Sequence, residues 1–396
     1  MLKILLLAGA AMGLASAVSA EAPMAEADVS LGKVSNQYIC RFNASVDRSQ
    51  IGAEAAKAAG PMGQILFTYR NTIRGFAVRM PVQPGTRSHI AEMRANNPKI
   101  SGCEQDQYVK ALVQGKGKPG GGGSSPQVTD WGATRVGGPG TAMSGRTAWV
   151  IDSGIDLNHP DLNVDEARSV NFVERESSPD DLNGHGTHVA GTIAAIDNSI
   201  GVVGIASGAP VVAVRVLNRR GSGTWAGVIA GVDHVGANAA TGDVANMSLG
   251  GGASQSVDDA VKCAADGSAS GVIGCLTDGG ISFTIAAGNS SAEAQNYSPA
   301  RAVGANIYTV SSFAKGDSAI DEIDPWSSFS NYGPPIRYAE PGSSILSTYK
   351  DGTYATLSGT SMAAPHLAGI LMTGSVRSDS TVDGDPAAPP DPIGER

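Results

Sequence analysis

The chain has 396 residues, of which 41% are hydrophobic and 16% charged, and its formal net charge is −9. This balance is typical of a globular protein with a buried core, and the length allows two or three compact units. Residues 1–112 carry a net charge of +4 and residues 113–396 a net charge of −13. Nucleic acid is not an expected partner of so acidic a body. The opposite charges either attract the two parts to each other or only keep the body soluble.

The first 20 residues have the pattern of a secretory signal peptide. Lys3 supplies the positive start, residues 4–14 form an apolar run, and residues 18–20 are small, as a cleavage site requires. A buried N-terminal helix is the alternative. Export would place the mature protein in the extracellular space or the periplasm. No later apolar run is long enough for a bilayer, so we expect no membrane span.

Residues 36–112 alternate strand-like and helical segments. The strand patterns lie at 38–42, 65–69, 75–80 and 99–109, and the helical patterns lie at 52–60 and 88–95. The order β-α-β-β-α-β predicts a small α+β domain with a split βαβ fold, in which the first and last strands are neighbours.

Four cysteines follow the apolar leader: Cys40, Cys103, Cys263 and Cys275. Export permits disulfides, and four cysteines allow three pairings. We favour Cys40–Cys103 and Cys263–Cys275 because each pair then lies within one candidate domain. Four free thiols are the alternative.

Residues 113–127 contain four consecutive glycines and predict a flexible Gly-rich linker. Residues 128–374 alternate buried strand patterns with helical stretches. The strands are expected at 148–151, 210–216, 244–249, 281–287 and 307–311, and the helices at 185–195, 224–238 and 254–265. This alternation predicts an α/β fold with a parallel sheet and helices on both faces. Residues 375–396 form an acidic, Pro-rich tail that we expect to be solvated and weakly ordered, with a docked extended strand as the alternative.

Three polar residues stand in short glycine-rich segments of this body. Asp152 follows a predicted strand in VIDSG, His185 begins a helix in NGHGTHVAG, and Ser361 begins another in SGTSMAAPH. A serine hydroxyl attacks a peptide only when a base takes its proton, and that base needs an acceptor that fixes its tautomer. The three residue types therefore indicate nucleophilic catalysis by serine.

The order Asp, His, Ser and the three segments resemble the signature motifs of the subtilisin family. The resemblance extends from about residue 130 to about residue 370. It implies a subtilisin-like fold and a serine endopeptidase, with Ser361 as nucleophile, His185 as general base and Asp152 as orienting carboxylate. A specific processing protease, and an inactive binding protein on a subtilisin scaffold, are the alternatives.

Further segments resemble the family's oxyanion hole and substrate cleft. In IAAGN, Asn289 would donate its side-chain N–H to the oxyanion beside the backbone N–H of Ser361. The resemblance also implies two strands flanking an extended peptide substrate, formed by Gly221, Ser222 and Gly223 and by Ser248, Leu249 and Gly250. Main-chain pairing would favour broad specificity. Small residues at 286–288 leave room for a sizeable apolar side chain at the cleavage position.

Residues 36–112 resemble the propeptide inhibitor that precedes many subtilisins. This implies a folding chaperone that covers the active site until a cut within about 107–127 releases it. The expected partners are protein or peptide substrates and the protein's own propeptide, and the expected state is a monomer.

No cofactor is expected for catalysis, whereas the resemblance makes structural calcium possible. Candidate carboxylates are Asp180 with Asp181, and Asp321 with Glu322 and Asp324, but neither set has the spacing of a dedicated site and no ligand is assigned. His185 with His188 could form a zinc pair, yet no third ligand stands nearby. Departures from the family include a long link at 263–281 and a glutamate, Glu340, where relatives usually have a small residue.

Overall fold

The computed structural model describes residues 32–81, 89–119, 126–316 and 324–396, which belong to a compact unit running from Leu31 to Arg396. The predicted signal peptide, the four glycines at 120–123, and Asp321 and Glu322 lie outside the described residues.

The N-terminal part of the unit is a four-stranded antiparallel sheet with two helices. Its elements are β1 (Lys33–Phe42), α1 (Ile51–Ala59), β2 (Gln64–Tyr69), β3 (Gly75–Arg79), α2 (His89–Asn96) and β4 (Ile100–Ala111). The strand order is β4-β1-β3-β2, so the first and last strands pair as expected. Cys40 lies directly opposite Cys103, and the two form a disulfide.

Residues 126–396 and the preceding short strand supply the remaining elements. These are β5 (Gln114–Pro119), α3 (Trp131–Arg135), β6 (Ala148–Asp152), β7 (Val170–Asn171), α4 (His185–Ala194), β8 (Val211–Arg215), β9 (Ser222–Thr224), α5 (Trp225–Asn238), β10 (Val244–Met247), β11 (Leu249–Gly252), α6 (Gln255–Asp266), β12 (Ser282–Ala286), β13 (Tyr297–Ser298), β14 (Ile307–Phe313), β15 (Ile336–Pro341), β16 (Ile345–Tyr349), β17 (Thr353–Ser358) and α7 (Thr360–Thr373).

A parallel sheet in the order β15-β14-β12-β10-β6-β8-β7 forms the centre of the body. Along β6, Trp149 and Ile151 join the core beneath α5 and α6, whereas Ala148 and Val150 join the core beneath α4 and α7. Both faces of the strand are buried, because a sheet covered by helices on both sides leaves neither face to water. The predicted α/β architecture is confirmed.

The N-terminal sheet continues into the body through β4. Its far end pairs antiparallel with β11 on one side and with β9 on the other. The second disulfide joins Cys263 in α6 to Cys275 in the link that leads to β12. Both pairings are therefore those that the domain argument favoured.

The expectation that the whole of residues 113–127 is flexible is wrong for its first part. Residues 114–119 form β5, which pairs antiparallel with β17 of the β16–β17 hairpin. Main-chain pairing needs no particular side chain, so a Gly- and Lys-rich sequence can fill the free edge of a hairpin.

The expectation of a weakly ordered tail is also wrong, and the alternative of a docked extended strand agrees with the structure. Val382 and Ile393 are buried. Ala339 N donates to Pro392 O at 2.8 Å, so the tail follows the edge strand β15. Composition reports the many Asp and Pro residues, but it cannot show that two apolar residues among them meet a core. Among the described residues, every helix falls short of what a bilayer crossing requires.

Candidate active site

Asp152 ends the central strand β6 in a fully buried position. Its backbone oxygen accepts from the N–H groups of Val216 and Leu217 at 2.8 and 3.0 Å, which holds the strand end against the segment after β8. Its side-chain Oδ1 accepts from Ser153 N at 2.6 Å and is 2.8 Å from His185 Nδ1. The first two predicted catalytic residues therefore form a direct, buried pair.

His185 is the first residue of α4, and the turn before it is built for close packing. Gly184 has φ +106°, and a Cβ there would overlap the ring of Tyr349. Buried Asp181 accepts from Asn183 N, Gly184 N and Thr187 N at 2.8–2.9 Å, which ties this turn to the helix. The imidazole orientation thus depends on a carboxylate that is not itself part of the predicted catalytic set.

The electrostatic setting of His185 favours its protonated form. Burial lowers the pKa of His185, but the negative charge of Asp152 and its hydrogen bond outweigh burial, so the pKa is raised above its ordinary value. Nε2 is buried and, within the described part of the chain, has no hydrogen-bond partner.

Ser361 lies in the first turn of α7 and is fully buried. Its hydroxyl donates to the backbone oxygen of Ser248 at 2.9 Å and accepts from Leu112 N at 3.1 Å. The structure thus joins Asp152 to His185 but does not join Ser361 to His185 by a hydrogen bond. The hydroxyl must turn away from Ser248 O before it can donate to His185.

Asn289 contacts the carbonyl group of Leu112, whereas Ser361 contacts its N–H. Its Nδ2 donates to Leu112 O at 2.7 Å, and its Oδ1 accepts from Thr360 N and Thr360 Oγ1 at 2.9 and 2.8 Å. The two bonds from Thr360 orient the amide so that its nitrogen faces the carbonyl. In the described part of the chain, the backbone N–H of Ser361 does not donate to this oxygen.

Position 359 must be glycine because the Leu112 carbonyl lies against its backbone. A Cβ at Gly359 would overlap Leu112 O and come within 2.9 Å of Asn289 Nδ2. Sequence reasoning treated Gly359 and Thr360 only as parts of a motif, although one admits the peptide and the other orients the asparagine.

The six residues predicted to flank a substrate all lie beside β4 and its continuation. Lys110 is opposite Ser222 and Gly250, which places the segment between β9 and β11. Ala111 N donates to Gly221 O at 2.9 Å, and Leu112 N donates to Ser248 O at 3.2 Å. The remaining pairs place Gly223 opposite Val109, and Leu249 opposite Ala111. β4 and its continuation therefore lie as an added strand between the two segments predicted to flank a substrate.

The side chains of this strand enter apolar surroundings. Leu112 packs against the core that includes Ala286, and a Cβ at Gly250 would come within 3.1 Å of its Cδ1. Val109 is buried in the same cluster as Trp225, on which the backbone of Gly251 also lies. Two apolar contacts three residues apart hold the segment in register.

Two of the candidate calcium carboxylates already have partners within the protein. Asp181 uses both oxygens in the turn before His185, and Asp324 is paired with Arg135 at 2.7 Å. Among the described residues, no cluster of three or more His, Cys, Asp or Glu side chains could hold a metal. Calcium therefore remains an expectation without assigned ligands.

His188 does not form a metal pair with His185. Its buried Nε2 faces the carbonyl oxygens of Ile345 and Ala355 at 3.1 and 3.0 Å, so the ring points to the β16–β17 hairpin. Burial lowers the pKa of His188 to about 3, with a further contribution from His185. A neutral imidazole that donates to carbonyls is a structural residue.

The model of the subtilase family matches residues 145–373, which is more than half of the sequence. This chain belongs to the subtilase family. Over 373 residues the subtilase is 33% identical to Proteinase R of Parengyodontium album, and the match covers 90% of this chain and 83% of that protein. Over 228 residues it is 45% identical to Alkaline serine exoprotease A of Vibrio alginolyticus, where it spans 57% of this chain but only 38% of that protein.

A solved structure supports the same fold for this subtilase. The crystal structure of a cold adapted subtilisin-like serine proteinase matches with a TM-score of 0.51 and 37% identity, over 66% of this chain and 96% of that chain. The subtilisin-like fold expected for the body is thus shown by the family and by a solved relative.

Proposed function

We propose that this subtilase is a secreted serine endopeptidase that cuts its own chain between Leu112 and Val113. The observation that carries the proposal is the position of the Leu112 peptide. Its carbonyl oxygen accepts from Asn289 Nδ2 at 2.7 Å, and its N–H lies 3.1 Å from Ser361 Oγ and 3.2 Å from Ser248 O. A substrate held at both its carbonyl and its N–H beside a serine is positioned for acyl transfer.

The proposed reaction begins when the Ser361 hydroxyl turns from Ser248 O towards His185. Nε2 takes the proton as Oγ bonds to the Leu112 carbonyl carbon, and Asp152 stabilises the imidazolium through Nδ1. The oxyanion forms against Asn289. The bond to Val113 nitrogen then breaks as the imidazolium returns the proton to that nitrogen, which leaves an ester between Leu112 and Ser361. His185 then takes a proton from water as the water oxygen bonds to the ester carbon, and it passes that proton to Ser361 Oγ as the ester bond breaks, which leaves a carboxylate on Leu112.

Further contacts of β4 support a role for residues 36–112 as the inhibitor of the mature enzyme. Glu104 accepts from Ser256 N at 3.0 Å, and Asp106 accepts from Ala226 N at 3.1 Å, so a carboxylate lies at the N-terminus of α6 and another at that of α5. Each carboxyl group accepts from a backbone N–H that has no partner within its helix, so the two contacts fix β4 to both helices. With β4 in the cleft, a second substrate strand cannot pair with β9 and β11.

The proposed substrates are extended segments of other proteins. Recognition rests on main-chain pairing, with an apolar residue in the place of Leu112, so we propose broad rather than sequence-specific cleavage. Export is supported by the pattern of the first 20 residues and by the two disulfides.

Self-cleavage is tested by comparing the purified wild-type chain with Ser361→Ala by mass spectrometry of the termini. We expect wild type to begin at Val113 and Ser361→Ala to retain residues 36–112, because removal of the nucleophile stops acyl transfer. Cleavage of both chains at the same bond in a purified system would rule out self-cleavage.

Two further assays separate the alternatives. Casein digestion with many cut sites supports a broad endopeptidase, whereas one narrow cut pattern supports a specific processing protease. A mature chain whose Ser361 does not react with a fluorophosphonate would be an inactive binding protein.

A further inference from the structure

A disulfide-closed loop follows α6, within the long link that the sequence showed at 263–281. It comprises residues 267–281 and leads into β12, and Cys275 within it is bonded to Cys263 of α6. None of the proposed catalytic steps uses this loop. Gly280 and Ile281 join it to the body, whereas Gly274 and Leu276 contact residues 36–112.

Leu276 makes the central contact. Its N–H donates to Thr72 O at 2.9 Å. Its half-buried side chain packs against the hydrophobic cluster of the N-terminal segment, which includes Phe42, Val46 and Phe76. Among the described residues, Leu276 is the one member of that cluster that lies outside residues 36–112. The N-terminal segment thus completes its core with a side chain from the body.

Arg74 makes a second contact from the same turn. Its guanidinium donates to Gly274 O in the loop and, through Nε, to Val46 O at 3.0 Å. The turn at 70–74 is also held from the other side, because Asp233 of α5 accepts from the N–H groups of Asn71 and Thr72 at 2.8 Å each. The turn therefore lies between α5 and the loop.

Ile273 is an apolar residue of the same loop that faces water. Its side chain is 91% exposed, although it lies three residues from Leu276. The contact is thus made by one side of the loop, which the Cys263–Cys275 bond limits in its motion.

We propose that the 267–281 loop is a dedicated binding site for the turn at 70–74 and controls how long residues 36–112 stay bound after the cut. This inference rests on the proposed function of those residues as a propeptide. Loss of the Leu276 contact should increase the dissociation rate, because most interface changes act on dissociation.

The first test follows maturation of the full chain after refolding. Cleavage is read from a gel, and release is read from the appearance of fluorophosphonate-reactive Ser361. For Leu276→Ser we expect the delay between the two events to shorten about fivefold, as for loss of a half-buried leucine contact. The delay should not change in Ile273→Ser, the matched control, or in Leu276→Met, which retains an apolar side chain. An equal delay in Leu276→Ser and Ile273→Ser overturns the proposal.

A second test does not need cleavage and therefore separates this inference from self-maturation. In the uncut Ser361→Ala chain, hydrogen exchange is measured at the amides of Asn71 and Thr72. We expect exchange about fivefold faster with Leu276→Ser than with Ile273→Ser. If wild type is never cut, self-maturation fails, while this comparison still decides the loop's role. Equal exchange in the two variants overturns the proposal.

Discussion

The amide of Asn289 can act as a donor only while its oxygen is held elsewhere. Thr360 provides that restraint with its backbone N–H and its hydroxyl, and Thr360 Oγ1 also accepts from Gly288 N at 3.1 Å. One threonine thus fixes both the asparagine side chain and the backbone preceding it. In the described part of the chain, Thr360 forms no hydrogen bond with the Leu112 carbonyl or with the hydroxyl of Ser361, so it is a positioning residue.

We predict that Thr360→Val lowers kcat about tenfold with little change in KM. Valine keeps the shape but removes one of two restraints on Asn289, so the loss should be smaller than the roughly 10²–10³ that removal of an oxyanion-hole donor costs, a value measured on subtilisin. Steady-state kinetics on a peptide substrate measure the effect. Thr360→Ser keeps the hydroxyl and should stay near wild type. A Thr360→Val enzyme with an unchanged kcat would contradict the orienting role.

At the scale of elements, the C-terminal tail and β15 enclose a buried acid. Glu340 in β15 is fully buried, and both its carboxyl oxygens lack a hydrogen-bond partner among the described residues. A Cβ at Gly394 of the tail would overlap Glu340 Oε1, so the tail backbone lies directly on the carboxyl group. Burial raises the pKa of Glu340 well above its ordinary value, against the lowering effect of Arg135.

We predict that Glu340→Gln reduces the loss of thermal stability at alkaline pH. Because the folded-state pKa is raised, the stability associated with Glu340 is fully present below its ordinary pKa and is lost as pH rises through the raised value. Glutamine cannot ionise, so its Tm should exceed that of the parent by about 2 °C or more at high pH. The measurement is Tm from pH 5 to 10 in the Ser361→Ala chain.

The exposed Glu166→Gln is the control for that comparison and should follow the parent at every pH. If the Tm of Glu340→Gln and that of the parent changed with pH in parallel, ionisation of Glu340 would not be the cause of the lost stability.

At the scale of the whole molecule, β4 belongs both to the N-terminal sheet and to the pairing with the body. Its first half completes the N-terminal sheet against β1, and its second half pairs with β9 and β11 of the body. Basic Arg41 pairs with acidic Asp259, in keeping with the unequal charges of the two parts. Asp106, between the two halves, is fully buried against the start of α5.

We predict that release of residues 36–112 after the cut is faster at pH 7 than at pH 5. Burial raises the pKa of Asp106 to about 6, although hydrogen bonds from Gln107 N and Ala226 N oppose this. The contribution of Asp106 to docking is therefore fully present below its ordinary pKa and is lost as pH rises through about 6. The change should be about tenfold, and size-exclusion chromatography of the cut chain measures it.

Asp106→Asn should abolish most of this pH dependence, because the amide stays neutral. Asp47→Asn, which alters an exposed carboxylate of the same segment, is the matched control. A pH profile of Asp106→Asn that coincides with that of Asp47→Asn would remove Asp106 as its cause.

Much of the fold and part of the site could be predicted from local pattern. Strands such as β6 and β12 are short apolar runs near glycines, so neighbouring residues suffice to predict them. Helices α4 to α6 begin within a residue of their predicted starts. The cleft residues and the Asp152–His185 pair follow from motifs that carry their own backbone geometry. The tail and β5 could not be predicted, because each pairs with an edge far away in sequence.

Local order along the chain was therefore enough for the element types, the α/β class, the pairing of the cysteines and the identity of the candidate catalytic residues. Long-range packing alone placed Leu112 on Asn289, Leu276 in the core of the N-terminal segment and the tail over Glu340. The reason is physical: periodicity and turn chemistry act between neighbours in sequence, whereas free strand edges and unfilled cores select partners by shape from any part of the chain.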